Sequence, residues 1–587
     1  MADDAKYSGI HSKYTREQIA EMQIGKTAIS RPLRIVVVTL FLMTILSVPV
    51  LQQVIEIRAG FATVGHWVWP KACEVASFPG QAWRAFNDPG IHGLWNRFQS
   101  ANGSFLREAK AYEKTLEDNS FLARAAIPRA QAITAAFLGL GNEQVYLGRD
   151  GWLFYQPEVG YLSGEGFLSP EFLRARARKG HVGEEMQPDP LKAITAFRDR
   201  LKARGIRLLL LPAPVKPMIE PEHLSSRYVP PLPIPLQNPS YRAFLQALDA
   251  AGIDYLDVSG TLAGEKERTG QPQFLLTDTH WMPEAMELAA GQLADKIRSL
   301  GLSGGTSVDY VRAGRPATNV GDIANMLRLP ASSTLYPRQT VTIHPVAKAD
   351  GSPWTADPAA TILVLGDSFS NVYSLDGMGW GKSAGLVEQL SYDLHLPVDA
   401  ILRNDAGAHA TREILARDLA QGHDRLAGKR VVVWEFAMRE LSVGDWKIID
   451  LPQAQPASSP APPAAGAGFY VPADGSSPVR VTATVDSLSK FPSPGSVPYK
   501  DHIFAVSLTD VSGAGVPAGS RAVAYLWSMR NNVLTKASEW KAGDRVTLDL
   551  KSWNDVSGQY DRFNRSELDD QSLQLQPPCW GEPAPQP

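Results

Sequence analysis

From about residue 190 to residue 437 the chain alternates helical patterns with short apolar runs, and this alternation restricts the fold more than any other feature. Leu191–Arg204 reads as a helix leading to a strand at Ile206–Leu211, and Tyr241–Ala251 with Ile253–Val258 repeats the pair. The helix Glu284–Leu300 follows, then an irregular insertion at 303–358 and a strand at Thr361–Leu365. Helices near Gly385–His395 and Thr411–Leu419 lead to the buried strand Arg430–Phe436. Strands that alternate with helices build βαβ units around a mostly parallel sheet, so the expected class is α/β, doubly wound.

Within that frame, Thr361-Ile-Leu-Val-Leu-Gly-Asp-Ser368 is a buried strand that runs into a tight turn. The turn lifts one hydroxyl out of the carboxyl end of the strand, where open α/β sheets bind ligands. Upstream lies Thr277-Asp-Thr-His-Trp281, in which an extended backbone would point Asp278 and His280 to one side. A serine, a histidine and an aspartate are the parts of an acyl-transfer triad: Ser368 as nucleophile, His280 as general base, Asp278 as the carboxylate that orients it. The oxyanion needs N–H donors, and the candidates are the backbone of Ser368 and Asn404 in Arg403-Asn-Asp-Ala-Gly407. Asp367 adjoins the nucleophile and reads as a turn residue bonding its own backbone, with Gly366 serving the tight turn. Taken singly, Gly-Asp-Ser and Asp-x-His are common in turns; their joint placement on this sheet gives the signal. The histidines lack ligand spacing, and no glycine-rich loop precedes a Lys-Ser/Thr pair, so neither a metal nor a cofactor is expected.

A chain of 587 residues should hold two or three domains. A net charge of −3 gives no reason to expect nucleic acid as a partner. Cys73 and Cys579 are too few for a metal site; outside the cytoplasm they would form one disulfide only if the fold brought them together. Residues 1–32 are a polar tail carrying Lys6, Lys13, Arg16, Lys26 and Arg31. Leu33–Leu51 is apolar, interrupted only by Arg34, Thr39, Thr44, Ser47 and Pro49, which matches the roughly 20 residues that cross a bilayer, and no small-x-small cleavage site follows. The expected anchor occupies 33–53, with the basic tail in the cytoplasm and the rest outside it. Residues 54–140 carry helical patterns rich in aromatics, including the amphipathic run Phe105–Arg124. Val145–Tyr155 gives a hairpin signal through Asp150-Gly151, and the α/β domain runs over 141–450. Residues 452–467 are Pro/Ala/Ser-rich and read as a linker. From 468 to 587 the pattern turns to strands, at Val479–Val485, His502–Val511, Ala522–Met529 and Arg545–Leu550, which suits a small sandwich or barrel.

Gly366-Asp-Ser-Phe-Ser370, Asp278-Thr-His-Trp281 and Tyr146-Leu-Gly-Arg-Asp-Gly-Trp-Leu-Phe154 together resemble the AlgX/AlgJ group of alginate O-acetyltransferases. Leu210–Lys216, Gly321–Asn325 and Val433–Phe436 extend the likeness over about residues 110–445. The Asp-x-His preceding the serine matches that group's permuted order within the SGNH-hydrolase-like fold, and the anchor is closer to the AlgJ type. The resemblance implies acetyl transfer through Ser368 onto hydroxyls of an exported alginate-like or cellulose-like polysaccharide, on the periplasmic side of the inner membrane. It also implies a multi-pass membrane acyltransferase as acetyl supplier, and permits polysaccharide contact by the last domain. Two alternatives stay open at this point: a polysaccharide esterase using the same triad, and a non-catalytic polysaccharide-binding scaffold.

Overall fold

The computed structural model describes residues 30–58, 78–87, 93–178, 186–230, 234–420, 422–452 and 468–584, except 495, 496, 498, 562, 569 and 575. The chain divides into two compact units, Met1–Ile127 and Pro128–Pro587. The first is helical, with helices at Arg31–Arg58, Phe78–Phe86 and Leu94–Asn119. The expected run Phe105–Arg124 is broken at Ser120, whose Oγ accepts from Ala123 N at 3.1 Å and starts a new helix, Phe121–Leu138. The expected membrane span falls on Arg31–Arg58. Among the described residues, however, no helix is long and apolar enough to cross a membrane. The side chains of Ile45, Leu46, Pro49 and Val50, on which that expectation also leans, lie outside the described ones.

The second unit is built on five strands: β1 (Arg207–Ala213), β2 (Asp254–Tyr255), β3 (Ile362–Gly366), β4 (Asp399–Leu402) and β5 (Val431–Ala437). They lie in the order β4-β3-β5-β1-β2, and every pairing is parallel. All residues of β3 and β5 are buried, which is why both read as continuous apolar runs rather than alternating ones. The packed helices show the complementary pattern. In Pro283–Ser299 the buried side chains are Ala285, Met286, Ala289, Ala290, Leu293, Ala294 and Ile297, a single stripe at helical spacing. Asp189 caps Pro190–Ala203 by accepting from Leu191 N, with proline at the first helical position. The hairpin Val145–Leu147/Leu153–Tyr155 turns through Asp150 and Gly151, both at positive φ (56° and 82°), as a tight hairpin turn requires.

The insertion at 303–358 is more ordered than its composition suggests. It holds two antiparallel ladders, Tyr310–Arg312 with Val346–Lys348 and Arg315–Asn319 with Gln339–Ile343, and the short helix Asp322–Met326. These strands are only three to five residues long; Gln339–Ile343 alternates, burying Val341 and Ile343, but over a run too short to mark a strand in the sequence.

The last region is a barrel-like sheet of β6 (Val479–Leu488), β7 (His502–Gly513), β8 (Ser520–Arg530), β9 (Val533–Leu534), β10 (Arg545–Ser552), β11 (Asn564–Ser566) and β12 (Pro578–Pro583). The order is β9-β8-β12-β10-β6-β7-β11, and a further pairing of β7 with β8 closes five of the strands on themselves. Closure removes the exposed edges that an open sheet of this length would present. Cys579 is buried in the barrel core as a free thiol, while Cys73 and linker residues 453–467 lie outside the described residues.

Candidate active site

Ser368 opens a one-turn helix, Ser368–Asn371, directly after β3. Asp367 caps that turn, Oδ1 accepting from Phe369 N at 2.8 Å, as its position after a strand led us to expect. Its second oxygen accepts from Ala437 N on β5 at 2.7 Å, which ties the turn to the neighbouring strand. Gly366 serves a different purpose from the one read in the sequence. Its φ is not positive; a Cβ there would lie 2.4 Å from Ser370 Oγ and 3.0 Å from Leu402 Cδ2, so close approach is what excludes a side chain. Glu435, buried on β5, completes the lock: its Oε2 accepts from Asp367 N at 2.9 Å and from Ser370 Oγ at 2.6 Å. Burial, reinforced by the charge of Asp367, holds the Glu435 carboxyl well above the usual range. Among the described residues Ser368 Oγ and Ser368 N form no hydrogen bond, although the residue is only 3% exposed.

His280 Nδ1 lies 2.6 Å from Asp278 Oδ1. The contact was expected, but its cause is different: residues 276–280 bend, and Asp278 Oδ1 also accepts from His280 N at 3.2 Å, so a local turn brings the pair together, not an extended strand. The other carboxylate oxygen accepts from Trp380 Nε1 at 2.8 Å and from Asp322 N at 3.0 Å. Burial opposes charge on Asp278, yet the His280 hydrogen bond and charge, with Trp380 and the Asp322 N–H, hold its pKa down to about 2. Burial also opposes the imidazolium of His280, and Asp278 outweighs it, so the histidine is raised above its ordinary value. His280 Nε2 is buried and has no partner among the described residues.

The Asp-His turn and the serine turn are fastened to each other. Trp281 Nε1 donates to Phe369 O at 3.1 Å, Tyr373 OH donates to Trp281 O at 2.6 Å, and the His280 and Phe369 rings are 5.0 Å apart. Asn404 follows β4 at the same end of the sheet; its Oδ1 accepts from Asn371 Nδ2 at 2.7 Å. The structure therefore brings the elements carrying Ser368, His280, Asp278 and Asn404 to one place.

Four neighbours of these turns were given no role from the sequence: Asp322, Trp380, Glu435 and Arg439. Asp322 accepts from Thr279 N at 2.7 Å and Thr279 Oγ1 at 2.6 Å, and burial with the charge of Asp278 lifts it to about 6. Gly321 admits this helix: at φ 99° it lies where a Cβ would be 2.4 Å from Thr277 O. Arg439 pairs with buried Glu158 at 3.0 Å, and its guanidinium sits 5.5 Å from the Phe369 ring. A lone carboxylate inside the apolar run Val431–Phe436 was the signal available for Glu435, because buried charges are rare without a task.

Against the expectation of no metal site, two clusters bring three ligand-type atoms within 4.8 Å: Glu220, Glu222 and His223, and Asp278, His280 and Asp322. In the first, Lys266 Nζ already bridges the carboxylates at 2.6 and 2.5 Å. In the second, the hydrogen bonds above occupy both oxygens of Asp278 and of Asp322. In both sets the carboxylates are thus already engaged within the protein, by Lys266 in the first and by His280, Trp380 and Thr279 in the second.

Residues 145–438 match the sequence profile described as SGNH hydrolase-like domain, acetyltransferase AlgX. The chain is 28% identical over 263 residues to a probable alginate O-acetylase AlgJ of Pseudomonas aeruginosa, covering 43% of this chain and 61% of that protein. It is 28% identical over 372 residues to the protein of that description from Pseudomonas syringae pv. tomato, covering 60% and 85%. Of solved structures, the O-acetyltransferase domain of Pseudomonas putida AlgJ shares 23% identity over 51% of this chain and 93% of that one, with a TM-score of 0.39. The profile spans half the sequence and takes in both the Asp-x-His turn and the serine turn, and on that match the chain belongs to the SGNH hydrolase-like acetyltransferase family of AlgX.

Proposed function

We propose that this protein transfers acetyl groups onto hydroxyls of an exported polysaccharide through Ser368, His280 and Asp278. The observation that carries the reading is the state of His280: Nδ1 is engaged by a carboxylate, while Nε2 is buried beside the serine turn and has no partner among the described residues. That is the arrangement a general base needs. Ser368 Oγ attacks the acetyl carbonyl of a donor ester as its proton passes to His280 Nε2. The oxyanion is met by Ser368 N–H and the Asn404 side-chain amide, whose oxygen is already committed to Asn371. The donor alcohol leaves with the proton from His280, and an acetyl ester remains on Ser368. A sugar hydroxyl then gives its proton to Nε2 and takes the acetyl group, and the proton passes from Nε2 to the departing Ser368 Oγ.

An acetyl-supplying membrane acyltransferase and a polysaccharide acceptor are the partners this reading calls for. It also puts the catalytic unit in the periplasm, anchored to the inner membrane through Arg31–Arg58, where Leu33, Ile35–Val38 and Leu40–Met43 are solvent-exposed apolar side chains. A carboxyl-terminal reporter active only in the cytoplasm would contradict that placement. Incubating the protein with an acetyl donor and several glycans, and scoring transfer against hydrolysis, tests the activity. Transfer to a glycan is expected; hydrolysis alone would make the protein an esterase, and neither would make it a scaffold.

A further inference from the structure

The acyl-transfer steps make no demand on the carboxyl-terminal barrel, yet the barrel reaches the loop that carries Asn404. Asn564 is the first residue of β11, the short strand that pairs parallel with β7. It is 1% exposed, and its Oδ1 accepts from Asn404 N at 3.2 Å. From the other side Asn404 Oδ1 accepts from Asn371 Nδ2, and Asn371 ends the helical turn that Ser368 begins. Asn404 is thus held at its backbone by the barrel and at its side chain by the nucleophile turn. With the amide oxygen used in this way, the amide nitrogen is the group left to donate.

The contact is not isolated. Arg403, beside Asn404, donates to Arg565 O, and Arg417 pairs with Glu567 at 2.9 Å. All of these barrel residues lie on β11 or immediately after it. The loop of Trp380 meets the barrel as well: a Cβ on Gly377 would lie 3.1 Å from Phe563 Cε1. A loop after a strand end ordinarily samples several conformations, and a donor misplaced by a fraction of an ångström stabilises an oxyanion poorly. Two buried hydrogen bonds from opposite sides limit that freedom.

We infer that Asn564 is a positioning residue for acyl transfer: by fixing Asn404, it makes the barrel part of the oxyanion site. The inference rests on the role given to Asn404 above and goes beyond it by assigning the barrel a task in the chemistry.

The test is a double-mutant cycle in the full chain, read as kcat and KM for hydrolysis of p-nitrophenyl acetate, with Ser368→Ala as the control. Asn404→Ala should lower kcat by about 10²-fold, the usual loss for one oxyanion donor. Asn564→Ala should lower kcat by roughly tenfold with KM little changed, as expected of a residue that acts only through the transition state. Because it acts through Asn404, the double variant should match Asn404→Ala within about twofold. Asn564→Asp keeps an acceptor oxygen beside Arg403 and Arg565; it should retain kcat within about threefold, and it carries the test should the alanine variant not fold. Multiplying losses in the double variant, or an aspartate variant as impaired as the alanine one, would overturn the inference and leave the triad untouched. Wild-type kcat in Asn404→Ala would remove the oxyanion assignment and this inference with it, and an active Ser368→Ala would overturn the proposed function itself.

Discussion

Trp380 donates its indole N–H to Asp278 Oδ2 at 2.8 Å, so the carboxylate facing His280 is gripped from behind by a side chain a hundred residues away in sequence. A hydrogen bond to a charged group contributes about 1.5–3 kcal/mol. Trp380→Phe keeps the buried ring and removes only the donor. It should lower kcat for a small acetyl ester by about tenfold with KM unchanged, 1.4 kcal/mol being tenfold in rate. Steady-state kinetics check this, and an unchanged kcat would mean that Asp322 N alone suffices to hold Asp278.

Glu435 should be replaceable by glutamine but not by leucine. Its Oε2 accepts from the residues on either side of Ser368 and Phe369, and a glutamine oxygen can do the same. Glu435→Leu leaves Asp367 N and Ser370 Oγ buried without an acceptor, at a cost of about 1–3 kcal/mol each. The sign of the pH effect follows from the raised carboxyl. An acid whose pKa is higher folded than unfolded contributes stability below its unfolded value, near 4.5, and loses it as pH rises toward the folded one. Glu435→Gln should therefore gain in melting temperature over the wild type as pH rises above 4.5, which thermal denaturation across a pH series measures.

The acid limb of the rate profile should lie above pH 6.5. Only neutral His280 can take the serine proton, and Asp278 raises its pKa above that ordinary value. Asp278→Asn removes the charge that favours imidazolium, so the limb should move to lower pH while kcat falls, by as much as about 10⁴ in such triads. A pH–rate profile of both proteins decides it; a limb that rises or stays in the variant would show that another group titrates.

Much of this was legible in the sequence, and the reasons differ by element. The strands β3 and β5 could be read because burial on both faces leaves unbroken apolar runs. The pair Asp278 and His280 could be read because its members are two residues apart. Trp380 and Asp322 could not, because their meeting with Asp278 depends on how the insertion at 303–358 and the loop after Ser368 fold back, which no local pattern encodes. The strands β11 and β12 were missed for a related reason: β11 is three residues long, and β12 carries proline at both ends and glycine within, so their pairing with β7, and with β8 and β10, and not their own composition, makes them strands.

Intact-mass spectrometry after incubation with an activated acetyl donor tests the central claim most directly. A single acetyl adduct that maps to Ser368, disappears in Ser368→Ala and is discharged by an acceptor glycan is the predicted result. An adduct that persists in Ser368→Ala and maps to another residue would contradict the account.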